Sequence, residues 1–416
     1  MFFLYQVILT FLLIFSPFIL IYRLLKSKEY KERFKEKLSF PTKKRTKGNL
    51  IWFHGASVGE LLSIVPLIKY YENKKNIKKI LITSSTVSSS KVLQKFKFKK
   101  TIHQFYPLDH IYFTNKFLKY WKPNIAIFIE SEIWPCMFKN LDKNGIALIL
   151  LNARLTKKTF NRWMQIKDFT ETIFKTIKMS YPQNLETETF LKQLNVKNIK
   201  HLGNLKFAEN KQSSKSKLSK NLIDQIKNKK IWVATSTHFK EEIFCAEAHL
   251  ELKRKIKNLM TIIIPRHVHR ANEILRELND LNLKVEIHSS GKKNLNNTDI
   301  YIVDTFGETQ LFQSIASSVF LGGSIIQRGG QNPLEAARYG AKILHGPHIQ
   351  NFRDIYKKLK ILKISKKITS PKRLASSIVF TKNKNKGTNI KNIGTKILKK
   401  TINELDDIIN NELKKT

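Results

Sequence analysis

The chain has 416 residues, 42% hydrophobic and 11% aromatic, enough to bury two ordinary cores and too apolar for a globally disordered polymer. Its 76 Lys and Arg against 32 Asp and Glu give a formal charge of +44, which admits nucleic acid, anionic lipid or a phosphorylated substrate as partner and selects none of them. The two cysteines, Cys136 and Cys245, stand in no CxxC, which argues against a disulfide scaffold or a cysteine-rich zinc site. Lysines are spread among Asn and Ile through the whole chain, so solvated lysine faces explain the charge as well as a dedicated basic site does. No arginine-rich tail, zinc finger or RNP-type aromatic motif is present.

Residues Met1–Tyr22 are almost wholly apolar, with no charge before Arg23, a run of about bilayer-spanning length. A secretory signal would begin with a basic segment and end in a small-residue cleavage site, and neither is visible; an uncleaved anchor is expected. Arg23, Lys26, Lys28, Lys31, Arg33, Lys35 and Lys37 follow at once, so the positive-inside rule leaves the remainder in the cytoplasm. With Tyr30 and Phe34 between them, these cations also suit anionic lipid headgroups. Two arrangements fit the run: a span, or a helix lying in the interface, which Pro17 favours.

From Asn49 to about Pro182, short apolar runs alternate with amphipathic stretches. Strands are expected at Leu50–Gly55, Lys79–Thr86, His103–Asp109, Ile125–Ser131 and Ala147–Leu155, with helices at Glu60–Glu72 and Ser88–Phe98. Such alternation predicts a mostly parallel sheet, whose ligands sit at the carboxyl ends of its strands. There fall HGASVGE, TSST, PLD, ESEIWP and NARL. Lys211–Lys230 is polar and weakly patterned and reads as a linker or surface helix.

A second series follows, with strands expected at Lys230–His238, Met260–His267, Leu283–Ser290, Asp299–Thr305, Ser318–Gly323 and Ala341–Pro347, and an amphipathic Ile390–Leu413 packing back as a helix. The result is an α/β chain of two Rossmann-like domains with a cleft between them. Neither half carries GxGxxG after its first strand, and no Walker A motif is present, so a conventional dinucleotide dehydrogenase is not supported. In Leu321–Glu335, LGGSIIQRGGQNPLE, an apolar run stops at Gly322-Gly323, a second pair stands at Gly329-Gly330, and Asn332-Pro333 opens a helix-compatible stretch. Free amides and a helix dipole there would favour a phosphate; a strand-to-helix turn that binds nothing fits the same residues.

Glu60 follows a small glycine-containing turn, where it is either a proton acceptor for a hydroxyl nucleophile or an ordinary first-turn glutamate favoured by the dipole. His54 competes for the base role, or is a hydrogen-bonded core residue. Glu130 and Glu132 flank Ser131 and would share a side if their strand continued. Lys206, Arg266, Glu308 and Asn332–Glu335 suit a nucleotide, by neutralising phosphate and accepting ribose hydroxyls, or are solvated charges. The histidines His238, His267 and His269 invite a metal, but no HExxH and no acidic loop pair supports one.

Taken together, HGASVGE, ESEIWP, NARL, GNLKF, STH with EE just after, PRHVHR, DTFGE, and GGSIIQRGGQNPLEAARYG with HGPHIQNF resemble the lipid A Kdo (3-deoxy-D-manno-octulosonic acid) transferases, from the anchor to beyond the glycine loop. The resemblance implies a GT-B glycosyltransferase that moves Kdo from CMP-Kdo to a lipid A precursor at the cytoplasmic face of the inner membrane. Inversion, metal independence and no cofactor come with it. By position Glu60 is similar to the proton acceptor, and Glu130 and Lys206 to the transition-state-stabilising pair. Pro265, Arg266, Phe306, Gly307, Glu308, Asn332, Pro333, Leu334 and Glu335 match CMP contacts. Three positions depart: Gln331 stands where His is usual, TSSTVSSS lacks a glycine, and Ala208 replaces an Asp. The implied domains are an anchor over 1–25, an acceptor domain over 26–210, a linker over 211–230 and a CMP-sugar domain over 231–416. Two rivals remain: a GT-B transferase using another nucleotide sugar, and a membrane-tethered basic protein that binds nucleic acid; no nucleic-acid partner is expected of the first reading.

Overall fold

The computed structural model describes residues 1–26, 29–209, 218–291 and 294–415. Lys28 of the basic collar and residues 211–217 of the expected linker lie outside the described residues. The chain forms two compact units, one of Met1–Lys211 with Gly394–Thr416 and one of Gln212–Ile393.

In the first unit, β1 (Leu50–His54), β2 (Lys79–Ser84), β3 (Thr101–Phe105), β4 (Ile125–Ile129), β5 (Ala147–Ala153) and β6 (Ile177–Pro182) form a sheet in the order β3-β2-β1-β4-β5-β6. Every pairing is parallel. β1, β4 and β5 are buried at every residue, which is why they read as continuous apolar runs: helices cover both faces of a parallel sheet. Trp52 anchors the core, its ring centroid 4.9 Å from Phe117 and 5.1 Å from Phe128.

The second unit holds β7 (Lys230–Thr237), β8 (Leu259–Pro265), β9 (Val285–Ile287), β10 (Ile300–Ile302), β11 (Ser318–Leu321), β12 (Lys342–His345) and β13 (Ser365–Lys367), in the order β13-β12-β11-β7-β8-β10-β9. These too are parallel throughout. Trp232, Phe320, Ile263 and Ile274 are among the residues of its core. The expected strands at His103–Asp109 and Leu283–Ser290 shift or shorten: β3 starts at Thr101 and stops at Phe105, and Val285–Ile287 gives way to a 3-10 turn at His288–Ser290. Part of the expected linker is a helix, Lys220–Ile226, capped by Ser219.

The final helix runs Lys384–Leu413, and from Gly394 it belongs to the first unit. Asp406 accepts from Tyr70 at 2.5 Å and from Lys74 at 3.1 Å, and Glu412 pairs with Lys178. A Cβ on Gly394 would collide with the Phe207 carbonyl, and one on Gly203 would stand 3.0 Å from Ile397. These two glycines let the helix press on the GNLKF segment.

Candidate active site

In the first unit the polar motifs gather where adjacent strands β2, β1, β4 and β5 end. Ser57 caps the helix Val58–Glu72, and Glu60 closes a capping box. Its Oε2 accepts the Ala56 N–H at 2.7 Å and the Ser57 N–H at 3.3 Å, while Ser57 Oγ accepts the Glu60 N–H at 3.3 Å. The same carboxyl is pushed up to about 7, first by burial and then by the charges of Glu132 and Glu130, against the pull of its bonds to Ser57. Glu60 is thus both a capping residue and a carboxyl whose pKa burial raises to about 7.

β4 ends at Ile129, and Glu130 takes a left-handed φ of 58°, uncommon for a residue with a side chain. The alternation that would have aligned Glu130 with Glu132 is therefore broken, and the two carboxylates take different partners. Glu130 meets Lys206 Nζ at 2.6 Å, both side chains nearly buried. Glu132 accepts from Trp134 Nε1 at 2.9 Å and stands 3.1 Å from His54 Nε2. His54 is fully buried, with Nδ1 2.9 Å from Thr83 Oγ1, and desolvation lowers its pKa. The ring, at the end of a buried strand, bridges Thr83 and Glu132.

Lys206, grouped by its chemistry with nucleotide-facing residues, lies in the first unit. Its backbone is fixed by two asparagines whose part was not legible in sequence. Asn152 Oδ1 accepts the Leu205 N–H at 3.0 Å, and Asn204 Oδ1 accepts the Lys206 N–H at 2.9 Å. Ser131 Oγ donates to the Arg154 carbonyl at 2.8 Å, so ESEIWP, NARL and GNLKF form one hydrogen-bonded assembly. In TSSTVSSS, Thr86 caps the helix Val87–Gln94 and no residue from 83 to 90 has a positive φ. That turn is built without the backbone freedom a glycine supplies.

In the second unit the ends of β10, β8, β7 and β11 lie side by side, bringing Phe306-Gly307-Glu308, Pro265-Arg266, His238 and Gly322-Gly323 to one edge. A Cβ on Gly322 would stand 2.6 Å from Thr237 Cα, and one on Gly323 would stand 3.4 Å from the His238 ring; the glycine pair lets the loop pass over the end of β7. The side chain that holds it is Glu241, whose carboxylate accepts the N–H groups of Gly323 at 2.6 Å, Ser324 at 3.1 Å and Ile325 at 2.9 Å. The amides of residues 323–325 are thus filled by the chain's own anion, and the Gly322 N–H donates to the Thr235 carbonyl at 2.9 Å. The Gly330 N–H donates to the Gly323 carbonyl at 2.9 Å. Asn332 Oδ1 accepts the Leu334 N–H at 3.0 Å, and the helix after it is short, Leu334–Arg338, with Pro333 at its N-cap.

Arg266 is exposed and its N–H donates to the Thr237 carbonyl at 2.9 Å. Phe306 is exposed, Gly307 has φ 92°, and Glu308 accepts from Thr305 and stands 3.2 Å from His288 Nε2. Glu242, beside Glu241, is buried and bonds Arg270 at 3.1 Å, fastening PRHVHR to the strand-end turn. Burial lowers the His238 pKa, and so do the neighbouring His267, Arg328, Arg266 and Arg270, which together make this edge a place for an anion. Among the described residues, no group of three or more His, Cys, Asp or Glu is arranged to hold a metal.

The family model described as 3-deoxy-D-manno-octulosonic-acid transferase (kdotransferase) matches residues 32–209. The 3-deoxy-D-manno-octulosonic acid transferase of Rickettsia bellii is 35% identical over 94% of this chain and 93% of its own length. That of Rickettsia felis is 39% identical over 74% of this chain and 66% of its own length. In fold alone, the chain is similar to a glycosyltransferase structure from Rickettsia africae, 11% identical with a TM-score of 0.54, covering 89% of this chain and 100% of that one.

Proposed function

Because the chain belongs to the 3-deoxy-D-manno-octulosonic acid transferase family, whose members are glycosyltransferases, we propose that it transfers Kdo from CMP-Kdo to a lipid A precursor by an inverting, metal-independent displacement. The observation that carries the chemistry is Glu60, a carboxyl raised to about 7 at a strand end lined by motif residues. In the proposed step its carboxylate takes a proton from an acceptor sugar hydroxyl, that oxygen bonds to the anomeric carbon of Kdo, and the bond to CMP breaks with its electron pair leaving on phosphate oxygen. Lys206, held by Glu130 at 2.6 Å, supplies a desolvated cation for the charge that develops.

For the donor, Pro265-Arg266, Phe306-Gly307-Glu308 and Asn332-Pro333-Leu334-Glu335 are proposed to hold CMP. With Glu241 occupying the amides of residues 323–325, phosphate recognition falls to Arg266 and the cationic edge around His238. The proposed location is the cytoplasmic face of the inner membrane. Competition binding with CMP, UDP and ADP tests the donor assignment. CMP is expected to bind at least about tenfold more tightly than either rival, a difference of ~1.4 kcal/mol; preference for UDP or ADP would transfer the assignment to another nucleotide sugar.

A further inference from the structure

The neighbouring strands β4 and β5 each end on a left-handed residue that is not glycine, Glu130 with φ 58° and Asn152 with φ 53°. At Asn152 the pairing of β5 with β6 slips between Leu151 and Ala153, a bulge of the kind that re-aims a side chain. Asn tolerates this backbone better than most residues, but glycine suits it best. The Asn152 side chain is withdrawn from solvent, 1% exposed, and its Nδ2 has no partner among the described residues. A left-handed backbone and an unpartnered buried donor both cost stability, and glycine would remove both. What glycine would lose is Oδ1, which accepts the Leu205 N–H at 3.0 Å.

That bond lies between the two members of the Glu130–Lys206 pair. On one side, the Glu130 N–H donates to the Leu151 carbonyl at 3.0 Å and the Arg154 N–H donates to the Glu130 carbonyl at 3.3 Å, so residues on either side of Asn152 fix the Glu130 backbone. On the other, Leu205 directly precedes Lys206, whose Nζ stands 2.6 Å from Glu130. The turn at residues 204–206 has a second tie to β5: Asn204 Nδ2 donates to Gln183 Oε1 at 3.1 Å, and the Gln183 N–H donates to the Ala153 carbonyl at 3.0 Å. One strand end therefore sets the backbone of both partners. We propose that Asn152 is a positioning residue for the transfer reaction: through the Leu205 N–H it holds Lys206 Nζ against Glu130 without touching substrate. The inference rests on the reading of that pair as the one that meets the charge developing in transfer, and it accounts for a costly asparagine where glycine fits the backbone better.

The test is a double-mutant cycle in the full chain, with CMP-Kdo and a lipid A precursor as substrates. Asn152→Gly is expected to lower kcat by about 10²-fold, the loss that a displacement of about 1 Å at a reacting group can cause. KM for both substrates and the melting midpoint should stay close to the parent's, because relief of the strained backbone and of the unpartnered amide offsets the lost bond to Leu205. Asn152→Asp keeps the acceptor oxygen and tolerates the left-handed backbone, and is expected to bring kcat back to within about tenfold of the parent. In a Lys206→Ala background, Asn152→Gly is expected to change kcat by less than about twofold, since residues that act as a unit are not additive. Losses that multiply in the double variant, near-parental kcat in Asn152→Gly, an Asp variant no faster than the Gly variant, or failure of Asn152→Gly to fold would each overturn the inference while leaving the pair's own role intact. Undiminished turnover in Lys206→Ala alone would overturn the role proposed for the pair, and the inference with it.

Discussion

Glu60→Gln is expected to lower kcat for transfer by about 10²–10⁴-fold while CMP binding stays within about twofold of the parent, since no CMP-binding role is assigned to that residue. Gln keeps the capping box, because its side-chain oxygen can still accept the Ala56 and Ser57 N–H groups that Glu60 accepts at 2.7 and 3.3 Å. The parent's kcat/KM is expected to rise with pH and level off above about 7, where the raised carboxyl is ionised. Stability has the opposite sign. A carboxyl whose pKa rises on folding contributes stability that is complete below the ordinary carboxylate range and is lost as pH climbs to about 7. At pH 8 the Gln variant should therefore melt no lower than the parent. Near-parental turnover in Glu60→Gln, or a pH profile flat from 5 to 8, would remove Glu60 from the proton-transfer role.

Glu241→Ala is expected to cost the second unit roughly 4 kcal/mol, because amides that donated to a buried carboxylate lose a charge-assisted partner worth ~1.5–3 kcal/mol apiece, partly recovered by water. For a unit of this size that is a fall of about 10 °C in its melting transition. Residues 323–325 and the His238 N–H all donate to this one side chain, the last at 3.1 Å, so CMP affinity should fall with it. Calorimetry should show the loss in one transition of two, with the transition of the first unit unmoved. A melting profile and CMP affinity both equal to the parent's would mean that the loop is held by something other than Glu241.

Most of the sheet framework is legible because parallel strands are buried on both faces. LIWFH, IAIFI and ALILLNA declare themselves by apolar content alone. The strands that sequence does not disclose are edge strands. β6, IKMSYP, exposes Lys178, and β13 is three residues, SKK, with both lysines outward; neither has the apolar run that reveals a covered strand. The helices expected at Glu60–Glu72 and Ser88–Phe98 run Val58–Glu72 and Val87–Gln94, starting directly after the caps Ser57 and Thr86.

At the site, residue types are legible and partnerships are not. Glu241 and Glu242 follow the histidine of STH as two adjacent acids in a first helical turn, a pattern the helix dipole alone would explain. Only the fold shows one on the glycine-loop amides and the other on Arg270. Glu130 and Lys206 are 76 residues apart in number, and their 2.6 Å contact comes from parallel strands and an asparagine-held turn that no local pattern encodes. The glycine stretch 322–330 fitted both a phosphate site and a turn that binds nothing, because sequence counts amides without showing which are already taken.

The central claim, transfer of Kdo from CMP-Kdo to a lipid A precursor, is tested most directly by mass spectrometry of the products formed when the purified chain is given both substrates with a chelator present. A product heavier than the acceptor by whole Kdo residues, with CMP released in step, is the predicted result. An unchanged acceptor with CMP-Kdo, together with a product formed from a uridine or adenosine diphosphate sugar, would contradict it.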